Sequence, residues 1–452
     1  MVDLIGTPNF TDVIPQQWTA IVDAIERLAP HDRYYHWDEL RNQPRPDGLS
    51  HEAWWSALKM ARVARLRPVP LCDGWNKPFR FNLPNELIET LQRIDCGGRD
   101  PAVNRATVDR FAASARLEES ISSAQLAEAD ISYEVAKELL RTGRPPREKG
   151  ERMVVNQQLA LQKAEEWRDR ALSPAMVLEL HRCLTAGTLD QGDLAGRLRR
   201  TGENSPVVDA SGTIRHEPPP AGELPRRVEL MCAFANGRTP EFFIHPVIRA
   251  MILHFWLAYD RPFMDGNGRI ARVLFLWALR RLGYNFAEFI SISSIMRRAP
   301  ARYAQAFVHT ETDDNDLTYF LLHQGEVLRT AEQEWREEVA RSAHEVKAVE
   351  KKLRGFAALN IRQQTLVVHA FHHPETRYRI VHHQHSHGVT HQTARDDLFD
   401  LARRELLTID KEGRIYVFRA PADLSQRLQS EAKRPRSRKV AISSEELPTA
   451  LL

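Results

Sequence analysis

Arg261-Pro262-Phe263-Met264-Asp265-Gly266-Asn267-Gly268-Arg269-Ile270-Ala271-Arg272 is the stretch on which the reading of this 452-residue chain turns. It ends one apolar segment, Pro246 to Tyr259, and opens another, Ile270 to Leu282, which predicts a polar loop between two buried helices. Such a loop makes an anion cradle. N–H groups freed by Gly266 and Gly268, and the unpaired N–H groups at the start of the second helix, face the same point. Asn267 is expected to donate to a phosphate oxygen, and Asp265 to hold a divalent cation through phosphate groups. Arg269 and Arg272, three residues apart on the first helical turn, are placed to reach a polyphosphate tail. Read by itself, Asp-Gly-Asn-Gly is equally the turn chemistry of a plain helix–turn–helix corner.

The full string is more specific. It resembles the Fic family signature His-Pro-Phe-x-Asp-Gly-Asn-Gly-Arg-x-x-Arg, matching every defined position except the first. The resemblance implies a nucleotide cradle built from Phe263, Asp265, Gly266, Asn267, Gly268, Arg269 and Arg272, taking ATP or another nucleotide with Mg²⁺ held indirectly by Asp265. It also implies protein adenylyltransferase chemistry, in which the motif His removes a proton from a Ser, Thr or Tyr hydroxyl that then attacks the α-phosphate. That position is Arg261, whose guanidinium, with a pKa of roughly 12 or more, is no general base near neutrality. The expectation is therefore a nucleotide-binding protein in which AMP transfer to a protein target, or to itself, is impaired or diverted. One alternative is an active nucleotidyl- or phosphotransferase with a replacement base. His216, His245 and His254 are its candidates, and Arg261 would stabilise a developing oxyanion. Another is a DNA-binding regulator that uses the Fic-like core as a sensing or dimerising body.

Two further segments carry the resemblance. Val207-Val208, a turn at Asp209 to Gly212, and Thr213-Ile214-Arg215-His216 predict a short β-hairpin ended by three prolines. In the Fic family such a hairpin is a flap that aligns the target's main chain, so Thr213, Ile214, Arg215 and His216 are flap residues by resemblance. Upstream, residues 118–141 align with the family's inhibitory segment, whose Glu pairs with the second motif Arg. That Glu position falls on Ala127. Glu128 is one residue late, about 100° around the helix. Arg272 is accordingly expected to be free for a γ-phosphate.

The predicted fold is mainly α: a Fic-like helical core with a short β-hairpin flap, plus a C-terminal winged helix-turn-helix. Residues 1–100 read as an irregular, aromatic-rich cap with Tyr34, Tyr35, Trp37, Trp54, Trp55, Trp75, Phe79 and Phe81 as core, and 101–320 as the Fic-like core. Breaks at Asp130-Ile131-Ser132 and Arg141 to Pro146 divide 101–170 into three helices, and Ser173-Pro174 starts another. A long connecting helix follows at 321–356, with Leu328, Trp335, Val339, Val346, Val349 and Leu353 on a roughly seven-residue repeat that packs within the chain or forms a homodimer.

Residues 357–422 have the helix, helix, two-strand order of a winged helix-turn-helix, with Arg395 on the expected DNA-reading helix. Residues 423–452 read as a flexible basic tail with Lys433, Arg434, Arg436, Arg438 and Lys439. His372, His373, His382, His383, His385 and His387 lack ligand-like pairing and read as a solvated surface. The formal charge of +3 is too small to imply a nucleic-acid partner, and the four cysteines have no disulfide-framework or metal spacing. No apolar run is long enough to span a bilayer, and the cysteine usage leads to the expectation of a cytoplasmic protein.

Overall fold

In the computed structural model the described residues are 7–8, 10–28, 33–97, 105–209, 211–354, 359–374, 376–412 and 415–431. The chain divides into two compact units, residues 1–102 with 108–335, and residues 103–107 with 336–452.

The N-terminal hundred residues are more regular than the sequence led us to expect. They contain α1 (Phe10–Leu28), α2 (Trp37–Leu40), α3 (His51–Val63), the antiparallel pair β1 (Arg67–Cys72) and β2 (Pro78–Phe81), and α4 (Asn85–Gly97). Helical spacing is present but broken up by prolines and charges. Ile21 and Ala24 on α1 pack with Ala53 and Ala57 on α3, each pair three or four residues apart. Ser50 caps α3 by accepting from the Ala53 N–H at 3.1 Å. Tyr34, Trp37, Trp55, Phe79 and Phe81 are buried as expected. Trp75, in the β1–β2 turn, is instead 90% exposed.

The next helices follow the sequence reading closely. α5 (Arg105–Leu126), α6 (Tyr133–Thr142) and α7 (Lys149–Glu166) are separated by the two anticipated breaks. Ser132 and Gly143, the latter at φ 66°, cap α6, and Ser173 caps α8 (Pro174–Thr185) with Pro174 at its first position. The strands β3 (Val207–Val208) and β4 (Ile214–His216) form the anticipated hairpin, followed by α9 (Leu224–Ala235).

α10 (Pro246–Asp260) and α11 (Asn267–Arg281) are buried nearly all round, α11 together with Arg269, Arg272 and Arg280, and form part of the main core. α12 (Ile292–Arg298), α13 (Pro300–Thr312) and α14 (Thr318–Arg354) follow. Leu328 on α14 is buried, and Trp335 stacks on Phe289 of the same chain with ring centroids 5.3 Å apart. The side chains of Val346, Val349 and Leu353 lie outside the described residues.

The second unit holds α15 (Ile361–His372), α16 (Ile380–His387), α17 (His391–Arg403), the hairpin β5 (Thr408–Glu412) and β6 (Ile415–Arg419), and α18 (Leu424–Glu431). Ahead of α16, Tyr378 forms an antiparallel bridge with Phe418 of β6. Residues 424–431, expected to be part of the flexible tail, are instead helical. Leu424 and Leu428, one turn apart, bury into this unit's core and hold 424–431 as a helix. Lys433, Arg434, Arg436, Arg438 and Lys439 lie outside the described residues. Among the described residues no helix is long and apolar enough to cross a membrane, and all four cysteines are free thiols.

Candidate active site

The loop between α10 and α11 begins with Arg261 in the left-handed region, at φ 41°. This closes α10 through the Arg261 N–H to the Leu257 carbonyl at 3.1 Å. Its guanidinium turns toward residue 205. Nε donates to the Ser205 carbonyl, and a terminal nitrogen lies 3.0 Å from the Ser205 hydroxyl. The peptide beneath it is held by buried Arg199, whose guanidinium donates to the carbonyls of Arg261 at 2.7 Å, Asp260 at 3.3 Å, Pro219 at 3.1 Å and Glu203 at 3.2 Å. Asp260 is fixed in turn by Arg227 at 2.6 Å and by the Trp256 indole at 3.0 Å.

Asn267 has a different task from the one expected. Its amide oxygen accepts from the Phe263 N–H at 3.0 Å and its amide nitrogen donates to the Phe263 carbonyl at 2.7 Å. The side chain thus closes the loop on itself and does not reach outward to a phosphate. What remains for an anion is backbone. Ile270 N–H bonds to the Gly266 carbonyl at 3.0 Å, so the N–H groups of Asn267, Gly268 and Arg269, ahead of it at the helix start, have no intrahelical partner. Gly266, at φ 79°, permits the turn.

The loop's other face rests on His181 of α8, which sequence reasoning missed. Its ring stacks on Phe263 with centroids 3.7 Å apart and planes 4° apart. Nδ1 accepts from the Gly196 N–H at 2.9 Å, so Nε2 carries the proton and donates to the Asp265 carbonyl at 2.9 Å. Burial holds this imidazole down at about 4. Because the folded value lies below the unfolded one, the neutral ring's contribution is complete above about pH 6.5 and is lost as pH falls toward 4. Unfolding free energy should therefore drop by about 3 kcal/mol more in wild type than in His181→Gln between pH 7 and pH 4, measured by urea titration. Parallel pH profiles would assign the acid sensitivity elsewhere.

The two motif arginines are buried. Arg269 donates to the Leu184 carbonyl at 3.1 Å and lies 3.4 Å from Asp265, whose side chain is 59% exposed. Arg272 is not free, contrary to expectation. Its Nε donates to the Ser123 hydroxyl at 2.9 Å and a terminal nitrogen to the Ser123 carbonyl at 2.8 Å. Burial lowers its pKa, with Tyr303 and Glu119 acting against that shift. Glu119, on the same helix as Ser123, is buried and accepts from Ser291 at 2.8 Å and Ser293 at 2.5 Å. Ala127 lies just past the end of α5. Glu128 is exposed in a left-handed turn at φ 60°, with Arg272 engaged by Ser123 instead.

Each of the three proposed replacement bases is buried or engaged by a neighbour. His254 is fully buried and 2.9 Å from the Tyr303 hydroxyl. His245 caps α10 and lies 3.1 Å from Asp95. His216 is clasped between the Tyr259 carbonyl at 2.7 Å and Glu311 at 2.8 Å. On the flap, Asp209 organises the turn by accepting from the Ser211 and Thr213 N–H groups at 2.8 and 3.0 Å and from Arg215 at 2.6 Å. Val208 and Ile214 project from it, exposed. Beside the flap lies a cavity of about 750 Å³ lined by Arg199, Gly202, Ile214, His216, Pro219 and Tyr259.

The helix–loop–helix with this motif, His181 behind it and the hairpin beside it all lie in a stretch that matches a known family model. Residues 171–279 match the Fic/DOC family model. This stretch is similar to Fic/DOC domains. Over 108 residues, 24% of the chain, the protein is 35% identical to the protein adenylyltransferase Fic of Drosophila grimshawi and 38% identical to that of Aedes aegypti. It spans only 20% and 19% of the length of those two relatives. A solved Fic family protein from Desulfovibrio desulfuricans G20 superposes with a TM-score of 0.51 at 17% identity, over 74% of this chain and 95% of that one, a likeness of fold. The matched stretch runs from just before α8 nearly to the end of α11, so it includes His181, the hairpin and the motif.

Proposed function

We propose that this Fic/DOC protein binds an adenine nucleotide with Mg²⁺ at the start of α11, and that AMP transfer to a protein hydroxyl is blocked at Arg261. The observation that carries this reading is the guanidinium locked on Ser205 where the family's base belongs. A permanently charged donor there draws phosphate oxygens but accepts no proton. The backbone N–H groups of 267–269 supply the phosphate seat, and exposed Asp265 is placed to take Mg²⁺ bound to the phosphates. The exposed Val208 and Ile214 on the hairpin edge support a protein target in extended conformation. His216, His245 and His254 give the replacement-base alternative no support, since each is engaged or sealed.

Calorimetry with ATP and Mg²⁺ tests the nucleotide part. Wild type should bind, and Asp265→Ala should weaken Mg²⁺-dependent binding by about 1.5–3 kcal/mol while leaving metal-free AMP binding nearly unchanged. Absence of binding to ATP, ADP and AMP in the wild type would end the reading.

A further inference from the structure

Away from the Fic loop, three side chains in the first unit converge without a role in the site described above. His36 precedes α2, Asp38 lies in α2, and His309 lies on α13. His36 Nδ1 is 2.7 Å from Asp38 Oδ1, and His309 Nε2 is 3.0 Å from Asp38 Oδ2. One potential ligand atom from each residue lies within 4.8 Å of the other two.

The proton positions make the pairing unusual. Thr312 Oγ1 donates to the Val308 carbonyl at 2.6 Å, so toward His36 Nε2, 3.2 Å away, it acts as acceptor. The His36 proton is thereby placed on Nε2. Nδ1 also lies 3.4 Å from the Asp38 N–H. It faces a carboxylate oxygen at 2.7 Å, a separation that needs a cation, a proton or a metal ion, between the two atoms.

We infer that His36, Asp38 and His309 bind a divalent transition-metal ion, with Zn²⁺ the best match to the donor set. Two imidazoles and one carboxylate favour Zn²⁺ or a neighbouring late first-row ion over Mg²⁺ or Ca²⁺, which prefer oxygen-rich shells. The surroundings are those of a built site. Thr312 accepts from the far ring nitrogen of His36 and fixes its tautomer, and Gln305 donates to Asp38 Oδ2 at 3.1 Å and orients the carboxylate. His36 and His309 are 2% and 7% exposed, whereas the Asp38 side chain is 23% exposed, which leaves a way in and room for a water ligand. The rings stack at 4.1 Å with planes 13° apart. Metal ligation requires donor separations on the order of 3.3 Å, so the pairs at 2.7 and 3.0 Å would open slightly and one stacked ring would turn toward the ion. The ion would fasten α2 to α13, the helix whose Glu311 holds the flap residue His216.

The test uses the full chain, stripped with a chelator and titrated with Zn²⁺ in the presence of a competing ligand that masks weak sites elsewhere. Wild type should take up one equivalent more than His36→Gln/His309→Gln, and its thermal midpoint should rise with Zn²⁺ while that of the variant does not. Thr312→Val should retain the site with affinity about tenfold to a hundredfold weaker. Should the double variant not fold, Co²⁺ added to wild type decides the matter: visible d–d bands saturating at one equivalent support the site. No stoichiometric uptake by wild type, equal uptake by the folded double variant, or no d–d bands would mean that a proton, not a metal, lies between His36 and Asp38.

Discussion

Arg261→His is expected to raise transfer of labelled AMP from ATP, onto the protein itself or an added target, by about a hundredfold to ten-thousandfold. The argument starts from the backbone. Position 261 sits at φ 41°, a conformation that His tolerates better than most side chains, so the substitution fits without rebuilding the loop. The bonds to Ser205 are lost, costing about 1 kcal/mol in loop order. Arg199, Asn267 and His181 continue to hold the loop at the adjoining peptides. An imidazole then stands beside the start of α11, where proton transfer is the function the proposal finds missing. Equal transfer by wild type and variant would show that another group is already the base, and the blocked-site reading would fall.

Arg227→Leu is expected to destabilise the first unit by about 3–5 kcal/mol, because it leaves the Asp260 carboxylate charged, buried and without its cation. The pair is 2.6 Å apart with side chains 8% and 3% exposed, so water cannot replace the lost partner. Burial pushes the Asp260 carboxyl up, and Arg227 opposes that shift. Arg227→Leu should therefore recover part of its loss below neutral pH as Asp260 becomes protonated. The double change Arg227→Leu/Asp260→Leu should restore most of the stability. Urea unfolding of the three proteins decides. A single variant within about 1 kcal/mol of wild type would mean that the pair is solvated in solution.

The helices α10 and α11 could be read from sequence because their long apolar runs have only the core to occupy, and α6 and α8 because Ser132 and Ser173 announce their starts. α1, α3 and α4 were harder to discern, since their buried faces are narrow and alternate with charge. α18 depends on two leucines just ahead of a basic stretch. At the site, residue types were legible and partners were not. Asn267 has the donors a phosphate needs, and nothing local indicates that Phe263 takes them. Arg272 meets Ser123 from 149 residues away, a contact that no spacing within the motif encodes. His181 and Ser205 are single residues whose importance exists only once α8 and the 205 segment lie against the loop.

Arg199 acts as a shared fulcrum. One planar guanidinium carries the peptide on which residue 261 stands, the Pro219 carbonyl behind the hairpin and the Glu203 carbonyl ahead of it. The hairpin is thus clamped at its root while its exposed tip is unburdened. Mechanically, this separates aim from grip: substitutions at 207–214 can change what the hairpin holds without disturbing where residue 261 points. Lysine at position 199 could not replace the fork, because a point-like ammonium cannot brace carbonyls arrayed around a plane. If the hairpin aligns a protein target as proposed, retargeting is a matter of rewriting the tip and leaving the fulcrum alone.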